Sequence, residues 1–347
     1  METVCGRSKC KTMMGKKVVG IDFGTSTIKM YRKGAGVVLD EKNVVAIEGK
    51  KKVIASGDAA YEMLGKSPER IDVSMPIQNG VIADIGKMQL LLDELLLKAY
   101  NGHVKGADYL VAVPTDITEV EKRAFYDLIQ KSNAKSKMIY AIDKPLAAAL
   151  GMEIDVAGSR GILSVDIGAD TTEVAVISLE GIVLSKLLPV GGFKLDQLIQ
   201  SAIKKKYNLL IGDKSAEEVK IALAYAFEPE EDSMRVFGRD VVSGLPSEAI
   251  VDSRLVSEAI KEQISSIITA IRVILERTPP EISADIIATG LYVSGGSAQI
   301  RNLDKRIHDE TNLKVNILEE SELAVIKGLG MIAENKKLLR MANSVKR

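Results

Sequence analysis

The chain alternates short runs of β-branched and other apolar residues with longer stretches in which apolar residues recur every three to four positions. The short runs predict strands and the longer, periodic stretches predict helices. Strands are predicted at 18–23, 28–31, 34–39, 43–47, 109–114, 138–142, 235–242, 249–251 and 291–294. Helices are predicted at about 57–64, 86–100, 118–129, 144–151, 194–206, 257–276, 298–310 and 336–347, with another opening at Ser215. This alternation is typical of an α/β protein.

The stretch 161–184 contains two apolar strands that flank a tight polar turn formed by Gly168, Ala169, Asp170 and Thr171. Backbone N–H groups in such a turn form a concavity for an anion, and a glycine lets the backbone approach it closely. Asp166 comes just before the turn, so its carboxylate can face a bound metal. The pattern predicts a phosphate-binding hairpin.

An earlier stretch repeats this pattern. Aligning Asp22 with Asp166 brings Gly24 onto Gly168 and Thr27 onto Thr171. One Asp-x-Gly-x-x-Thr turn alone is typical of ordinary hairpins, but a pair with matching strands indicates an internal repeat. Two such hairpins can close on one polyphosphate from opposite sides. The repeat therefore predicts a two-lobed nucleotide clamp.

A third glycine motif follows the predicted strand 291–294. Gly295, Gly296 and Ser297 lead into a helix predicted from Ala298. Glycines at such a junction let a flat ligand or a phosphate lie against the backbone and meet the positive end of the helix. The motif predicts a third contact for the same nucleotide.

The composition narrows the function without deciding it. A chain of 347 residues suits two domains, and 46% hydrophobic with 27% charged residues is typical of a globular protein. The 47 basic and 47 acidic side chains give no net charge, and no basic block is interleaved with aromatic residues. Nucleic acid is therefore not an expected partner.

The cysteines and the chain start also limit the possibilities. Cys5 and Cys10 lie near the start of the chain, and only His103 and His308 could join them as metal ligands. A zinc site is therefore not expected, and the two cysteines are expected to be free thiols in a reducing compartment. Residues 1–15 lack the apolar core of a secretory signal, and the apolar run at 90–97 is too short to span a bilayer. The expected location is the cytoplasm.

Three carboxylates have both a structural and a functional interpretation. Thr118 and Glu121 fit a capping box, but a carboxylate just past a strand end could also orient a water toward a terminal phosphate. Glu217 and Glu218 could simply favour the start of a helix capped by Ser215. The residues alone leave both interpretations open.

Taken together, these residues resemble the actin, Hsp70 and sugar-kinase ATPase superfamily and, within it, the MreB family of bacterial actins. The resemblance covers about residues 17–335. It is carried by the blocks 34–39, 79–84, 121–124, 144–151, 166–184, 207–212, 216–221 and 282–304.

The resemblance implies a duplicated actin-like (ribonuclease H-like) α/β fold with two lobes, four subdomains and a central nucleotide cleft. The first lobe would span 17–157 and the second 158–335, with the last helix returning to the first lobe. Residues 1–16 would form a tail, and 336–347 a basic tail whose Leu338, Leu339 and Met341 either pack or touch a partner or membrane.

It also implies roles for the candidate site residues toward ATP or ADP and Mg²⁺. Phosphate contacts would come from Thr25, Ser26, Thr27, Gly168, Ala169, Asp170 and Thr171. Glu217 and Lys220 would meet the ribose and base with Glu218 beside them, and Gly295, Gly296, Ser297 and Ala298 would line the adenosine. Asp22 and Asp166 would hold Mg²⁺, through water. Glu121 matches the water-orienting acid, which favours its functional interpretation.

The implied function is a slow ATPase that polymerises into filaments and organises cell shape and cell-wall synthesis. Its partners would be further copies of itself, membrane proteins of cell-wall elongation, and the inner face of the membrane through a weak peripheral contact. Alternatives are an actin-like adaptor or specialised paralogue with weak or absent hydrolysis, and a small-molecule kinase, for which no sugar-binding insertion is visible. A chaperone is disfavoured because no substrate-binding domain follows residue 335.

Two departures from the family pattern bear on these expectations. Ala169 and Asp170 stand where the family usually has glycines. A carboxylate about 4 Å from a phosphate charge costs on the order of 4 kcal/mol at an effective dielectric of about 20, so Asp170→Gly is expected to tighten nucleotide binding. The N-terminal Met13 and Met14, and Val104 in the loop 101–106, offer little apolar surface, so membrane attachment is expected to be weak.

Overall fold

A computed structural model describes residues 17–49, 51–100 and 106–344 of the chain, without the side chains of 343 and 344. The predictions for Cys5, Cys10, His103, Val104 and the N-terminal methionines lie outside the described residues. None of the helices in the described ranges is both long enough and apolar enough to cross a membrane.

The first lobe, as we use the term, comprises the elements before residue 152. They are β1 (Val18–Phe23), β2 (Thr27–Arg32), β3 (Gly36–Lys42), β4 (Val45–Glu48), β5 (Lys52–Ser56), α1 (Asp58–Met63), β6 (Ile71–Ser74), β7 (Ile77–Gln78), β8 (Val81–Ile82), α2 (Ile85–Tyr100), β9 (Asp108–Val113), α3 (Glu119–Lys131), β10 (Met138–Asp143) and α4 (Lys144–Gly151).

The second lobe comprises the elements from β11 to β18. They are β11 (Ile162–Ile167), β12 (Thr172–Ser178), β13 (Gly181–Leu188), α5 (Gly192–Tyr207), β14 (Leu209–Leu210), α6 (Asp213–Leu223), β15 (Ser233–Asp240), β16 (Pro246–Asp252), α7 (Ser253–Arg277), α8 (Pro280–Thr289), β17 (Leu291–Ser294), α9 (Leu303–Thr311) and β18 (Val315–Ile317). The chain ends with α10 (Ala324–Glu334) and β19 (Asn343–Ser344), which join the first lobe.

The main sheets of the two lobes have the same topology. The first runs β3-β2-β1-β9-β10-β19 and the second runs β13-β12-β11-β17-β18. In both, three antiparallel strands are followed by two parallel ones before β19 closes the first sheet with an antiparallel pair. Every residue of β1, β9 and β11 is buried, as expected for strands covered on both faces. The predicted repeat is therefore a repeat of topology.

Each lobe also carries a smaller sheet. In the first lobe it runs β5-β4-β6 with α1 packed against it, and in the second it runs β14-β15-β16. Separate apolar cores fill the two lobes, while a third core contains residues of both, from α4, α10, β10, β11 and β12.

Helices α4 and α10 cross where the two lobes meet. A Cβ added to Gly151 would lie 1.8 Å from the Ala324 carbonyl oxygen, and one added to Gly328 would lie 1.8 Å from that of Ala147. The two backbones therefore touch directly, because glycine has no side chain to keep them apart. The alanines and glycine of the 144–151 segment are explained by this contact.

Some expected elements differ in the structure. Helix α6 begins at Asp213 after an N-cap at Gly212, so Ser215 lies inside the helix. Glu217 and Glu218 then fall in the second turn, where the charge of the helix N-terminus has little effect. The interpretation that they favour the start of the helix is therefore wrong for both. Helix α7 begins at Ser253 rather than at 257, because the Asp252 side chain caps it by accepting a 2.8 Å bond from the Leu255 N–H.

The helix predicted at 298–310 starts later than expected, at Leu303, so only the part from 303 onward is confirmed. A short 3₁₀ helix (Gly296–Gln299) follows the glycines, and α9 starts only after Asn302, whose φ of 58° interrupts the helical path. The C-terminal segment likewise forms a 3₁₀ helix (Lys336–Met341) followed by β19. Leu338, Leu339 and Met341 pack on the third core, so of the alternatives for this segment the packed one is correct.

Candidate functional site

The β1–β2 and β11–β12 hairpins face each other across a cavity of about 540 Å³. Residues from both hairpins and from the third glycine motif line it. The predicted site residues among them are Asp22, Thr25, Ser26, Thr27, Asp166, Gly168, Ala169, Thr171, Glu217, Lys220, Gly295, Gly296 and Ser297. Glu121, Asp170, Glu218 and Ala298 are not part of this lining.

The first hairpin is held by the buried side chain of Asn43. Its Nδ2 donates to the carbonyl oxygens of Gly24 (3.0 Å) and Thr25 (3.2 Å), which fixes the turn that faces the cavity. Asp22 pairs across the hairpin with Lys29, whose ammonium lies 3.4 Å from Asp40. Burial raises the pKa of the Asp22 carboxyl above its ordinary value, although Lys144 and Lys29 act in the opposite direction.

The second hairpin places Asp166 opposite Glu173. One Asp166 oxygen accepts a bond from the Ser294 hydroxyl (2.9 Å), and the other lies 3.2 Å from the Lys144 ammonium. Glu173 accepts bonds from the N–H (2.7 Å) and the hydroxyl of Thr115, which belongs to the first lobe. Burial raises the pKa of Glu173 to about 7 despite these bonds.

Lys144 stands at the start of α4 and faces the carboxylates of both hairpins. Burial alone would lower its pKa, but the charges of Asp166, Asp22 and Glu173 outweigh burial and raise it. Lys144 and Glu173 also line the cavity, although neither was predicted from the sequence as a site residue. A signal for Lys144 was present, since it follows the carboxyl end of a parallel strand, where ligands bind in α/β sheets.

The third glycine motif lies against the backbone of the second hairpin. The Ser297 hydroxyl donates to the Gly168 carbonyl oxygen (3.0 Å). Gly295 has a φ of 92°, and a Cβ there would lie 2.3 Å from the Ile167 carbonyl oxygen. A side chain is therefore excluded at Gly295, whereas Gly296 faces open space. Ala298 is buried in the core of the second lobe rather than in the cavity wall.

On the far side of the cavity, Glu217 contacts the first lobe. It accepts a 2.6 Å bond from the Tyr61 hydroxyl and lies 3.3 Å from the Lys42 ammonium. Burial opposes its ionisation, but the Tyr61 bond and the charges of Lys42 and Lys220 outweigh burial and lower the pKa of Glu217. Lys220 itself donates to Asp196 at 2.8 Å. Glu218 is exposed and does not line the cavity.

Glu121 makes the capping box that its spacing with Thr118 predicts. Its carboxylate accepts bonds from the N–H and the hydroxyl of Thr118, both at 2.7 Å, and these bonds lower the pKa of Glu121. The structural interpretation is therefore confirmed. In this conformation the side chain does not line the cavity, and its functional interpretation stays a prediction.

Asp170 also points away from the expected phosphate position. Its carboxylate accepts a 2.6 Å bond from the Asn79 N–H in the first lobe, and it lines a second cavity of about 250 Å³. Ala169 instead supports the turn, because its carbonyl oxygen accepts a 2.7 Å bond from the Phe193 N–H at the start of α5.

The donor set fits a magnesium ion held together with phosphates. In the described ranges no cluster of three or more His, Cys, Asp and Glu residues could hold a metal alone. Mg²⁺ commonly binds one or two carboxylates and completes its shell with waters and substrate phosphates. Asp22 and Asp166 are two buried carboxylates that line the same cavity, so they match this requirement.

Comparison with known proteins decides the family. The family described as "MreB/Mbl protein" matches residues 16–341. The chain belongs to the MreB/Mbl family. It is 38% identical over 323 residues to the cell shape-determining protein Mbl of Bacillus subtilis (strain 168), covering 91% of this chain and 96% of that protein. It is 36% identical over 324 residues to the cell shape-determining protein MreB of Escherichia coli (strain K12), covering 91% and 93%.

Solved structures agree with this assignment to the MreB/Mbl family. MreB5 of Spiroplasma citri bound to AMPPNP has a TM-score of 0.87 at 35% identity, over 92% of this chain and 96% of that chain. A MamK double helical filament has a TM-score of 0.78 at 22% identity, over 92% and 99%, which supports the fold alone. The predicted actin-like α/β fold is therefore confirmed.

Proposed function

We propose that this MreB/Mbl-family chain binds ATP between its two hairpins and polymerises into filaments that organise cell shape and cell-wall synthesis. The observation that carries the proposal is the cavity of about 540 Å³ lined by both hairpins and the third glycine motif. The names of the Bacillus subtilis and Escherichia coli relatives, and the AMPPNP bound to Spiroplasma citri MreB5, support it.

Within the proposal, the turn residues of the hairpins hold the phosphates. Backbone N–H groups and the hydroxyls of Thr25, Ser26, Thr27 and Thr171 offer donors from both sides, as suits a polyphosphate. Asp22 and Asp166 would hold Mg²⁺ through water, and the ion would neutralise phosphate charge. Glu217 and Lys220 would face the ribose and base.

Bound ribose would compete for Glu217, which Tyr61 and Lys42 of the first lobe otherwise engage. The proposal thereby links nucleotide occupancy to the contact between lobes. Further copies of the chain are its principal proposed partners. Membrane proteins of cell-wall elongation and the inner face of the cell membrane belong to the proposal on the strength of the family resemblance alone.

Sedimentation and electron microscopy of the full chain with ATP, with ADP and without nucleotide test this function. We expect filaments to depend on nucleotide. Asp166→Asn should reduce both nucleotide-dependent assembly and the Mg²⁺ dependence of ATP binding, while Asp309→Asn, an exposed aspartate outside the cavity, should match the unaltered chain. Failure of the unaltered chain to bind ATP in a titration would overturn the proposal.

The second candidate is an actin-like adaptor that binds nucleotide without hydrolysing it. The engagement of Glu121 by Thr118 favours this candidate, because the carboxylate is bonded at the helix cap and does not line the cavity. Glu121→Gln keeps an acceptor for the cap and should change the free energy of unfolding by less than about 0.5 kcal/mol. If Glu121 orients the attacking water, phosphate release by this variant should fall at least about tenfold. Unchanged release from an active chain would remove Glu121 from the chemistry, and no release from the unaltered chain would favour the adaptor.

A further inference from the structure

The turn between β7 and β8 lies against the tip of the second hairpin. Asn79 and Gly80 form this turn with successive positive φ values of 51° and 76°, the pattern of a type I′ hairpin. A Cβ added to Gly80 would lie 3.5 Å from the Thr171 hydroxyl. The first lobe therefore reaches across to the turn that is proposed to bind phosphate.

One hydrogen bond joins these two turns. The Asn79 N–H donates to the Asp170 carboxylate at 2.6 Å, between residues 91 positions apart in the chain. A bond from a backbone N–H to a carboxylate is stronger than a bond between neutral groups. A glycine at position 170, which the family pattern usually has, offers no side chain to accept it.

Asp170 lines a different cavity from its neighbours in the turn. Gly168, Ala169 and Thr171 line the main cavity, whereas Asp170 lines the second one. Its carboxylate is thus directed at the first lobe and not into the space proposed for phosphates. This geometry removes the basis for the charge repulsion expected from the sequence.

We propose that Asp170 is a positioning residue of the nucleotide site, which holds the second phosphate turn against the first lobe and slows nucleotide release. The inference rests on the proposed ATP binding. It reverses the sign of the expectation from sequence: loss of the Asp170 carboxylate loosens nucleotide binding instead of tightening it.

The test measures the release of a fluorescently labelled ATP from the full chain after a chase with unlabelled ATP. Asp170→Ala removes the acceptor, and alanine is compatible with the backbone because φ at this position is not positive. We expect release about tenfold faster than from the unaltered chain. Asp170→Asn keeps an acceptor oxygen without the charge, so release should stay within about threefold. Asp309→Ala is the matched surface control, and thermal unfolding midpoints of all variants establish that they fold.

Release from Asp170→Ala at the unaltered rate would overturn the positioning role alone. Slower release from both Asp170→Ala and Asp170→Asn would overturn it in favour of charge repulsion. Absence of ATP binding by the unaltered chain would overturn the proposed function and this inference with it. Faster release from Asp170→Ala, with recovery in Asp170→Asn, supports the inference, because charge repulsion predicts the opposite change in both variants.

Discussion

The two hairpins share their strand order and an aspartate at the same register position, but they differ in the residue that faces this aspartate. In the first hairpin Asp22 faces Lys29, and in the second Asp166 faces Glu173. The first hairpin therefore supplies one cation of its own, Lys29, in addition to the charge of Lys144, whereas the second concentrates negative charge that Lys144 of the first lobe balances.

This difference shows that the duplication preserved geometry and not electrostatics. The backbone of each hairpin can offer N–H groups to a ligand in the same way, because turn and register are alike. The charges around the second hairpin depend on the other lobe, since Lys144 and Thr115 both come from it. The second hairpin is thus the one whose state reports on the contact between lobes.

Removing Lys144, which balances the negative charge of the second hairpin, should have the largest effect on stability. Lys144→Ala leaves buried Asp166 without its cation, so we expect a loss of about 3–5 kcal/mol in the free energy of unfolding of the metal-free chain. Lys29→Ala should cost less, because its partner Asp40 is 44% exposed and can be solvated. Urea unfolding measures the free energy of unfolding of both variants. Lys131→Ala is the control: it breaks an exposed ion pair with Asp127 and should cost no more than about 1 kcal/mol. Equal losses from Lys144→Ala and Lys131→Ala would contradict the comparison.

The pH dependence of stability should show the second-largest difference between the two hairpins. The native pKa of Glu173 is raised from 4.5 to about 7, so the native state holds a proton that the unfolded state has already released. The Glu173 contribution therefore falls as pH rises from about 4.5 to about 7 and is constant above, a total on the order of 3 kcal/mol. Relative to Glu173→Gln, the unaltered metal-free chain should lose stability across this window.

Urea unfolding at pH 5 and pH 8 for both chains measures this difference. Burial also raises the pKa of Asp196, to about 6. Its ionisation contributes equally to the stability of both chains and therefore cancels in the difference between them. A stability difference that stays constant between the two pH values would show that Glu173 is ionised in the native state at pH 5 already.

The turns themselves should show the smallest difference. A Cβ added to Gly24 would lie 2.5 Å from the Thr27 carbonyl oxygen, but one added to Gly168 would lie 3.1 Å from that of Thr171. Gly24→Ala should therefore cost about 1–3 kcal/mol in the free energy of unfolding and Gly168→Ala less, because the closer contact at Gly24 requires a larger shift of the backbone. Thermal unfolding compares the two, and a larger loss at Gly168 would reverse the assignment of the tighter turn.

Features that depend on neighbouring residues could be predicted from the sequence. The hairpins, the repeat and the capping box of α3 follow from turn chemistry and from spacing over a few residues. The start predicted at 298 for the helix that ends near 310 was wrong for a local reason as well, since nothing in the pattern revealed the left-handed conformation of Asn302. The failure at Ser215 arose because the helix starts earlier, after Gly212.

Contacts between the lobes could not be predicted in the same way. Thr115 reaches Glu173 and Asn79 reaches Asp170 only because separate parts of the chain fold against each other. Charge alone suggested that Asp170 would face phosphate, and nothing in the sequence indicated that its carboxylate accepts a bond from the Asn79 N–H of the first lobe. The sequence therefore indicated which turns line the cavity but not how its two sides are joined.

The crossing of α4 and α10 has a consequence for how the protein can move. Because Gly151 and Gly328 bring the two backbones into contact, no side-chain rotamers are available there to absorb sliding. Such a crossing favours rotation about a fixed point over shear. Rotation of one lobe about the contact between Gly151 and Gly328 would change the separation of the two hairpins across the cavity that both of them line.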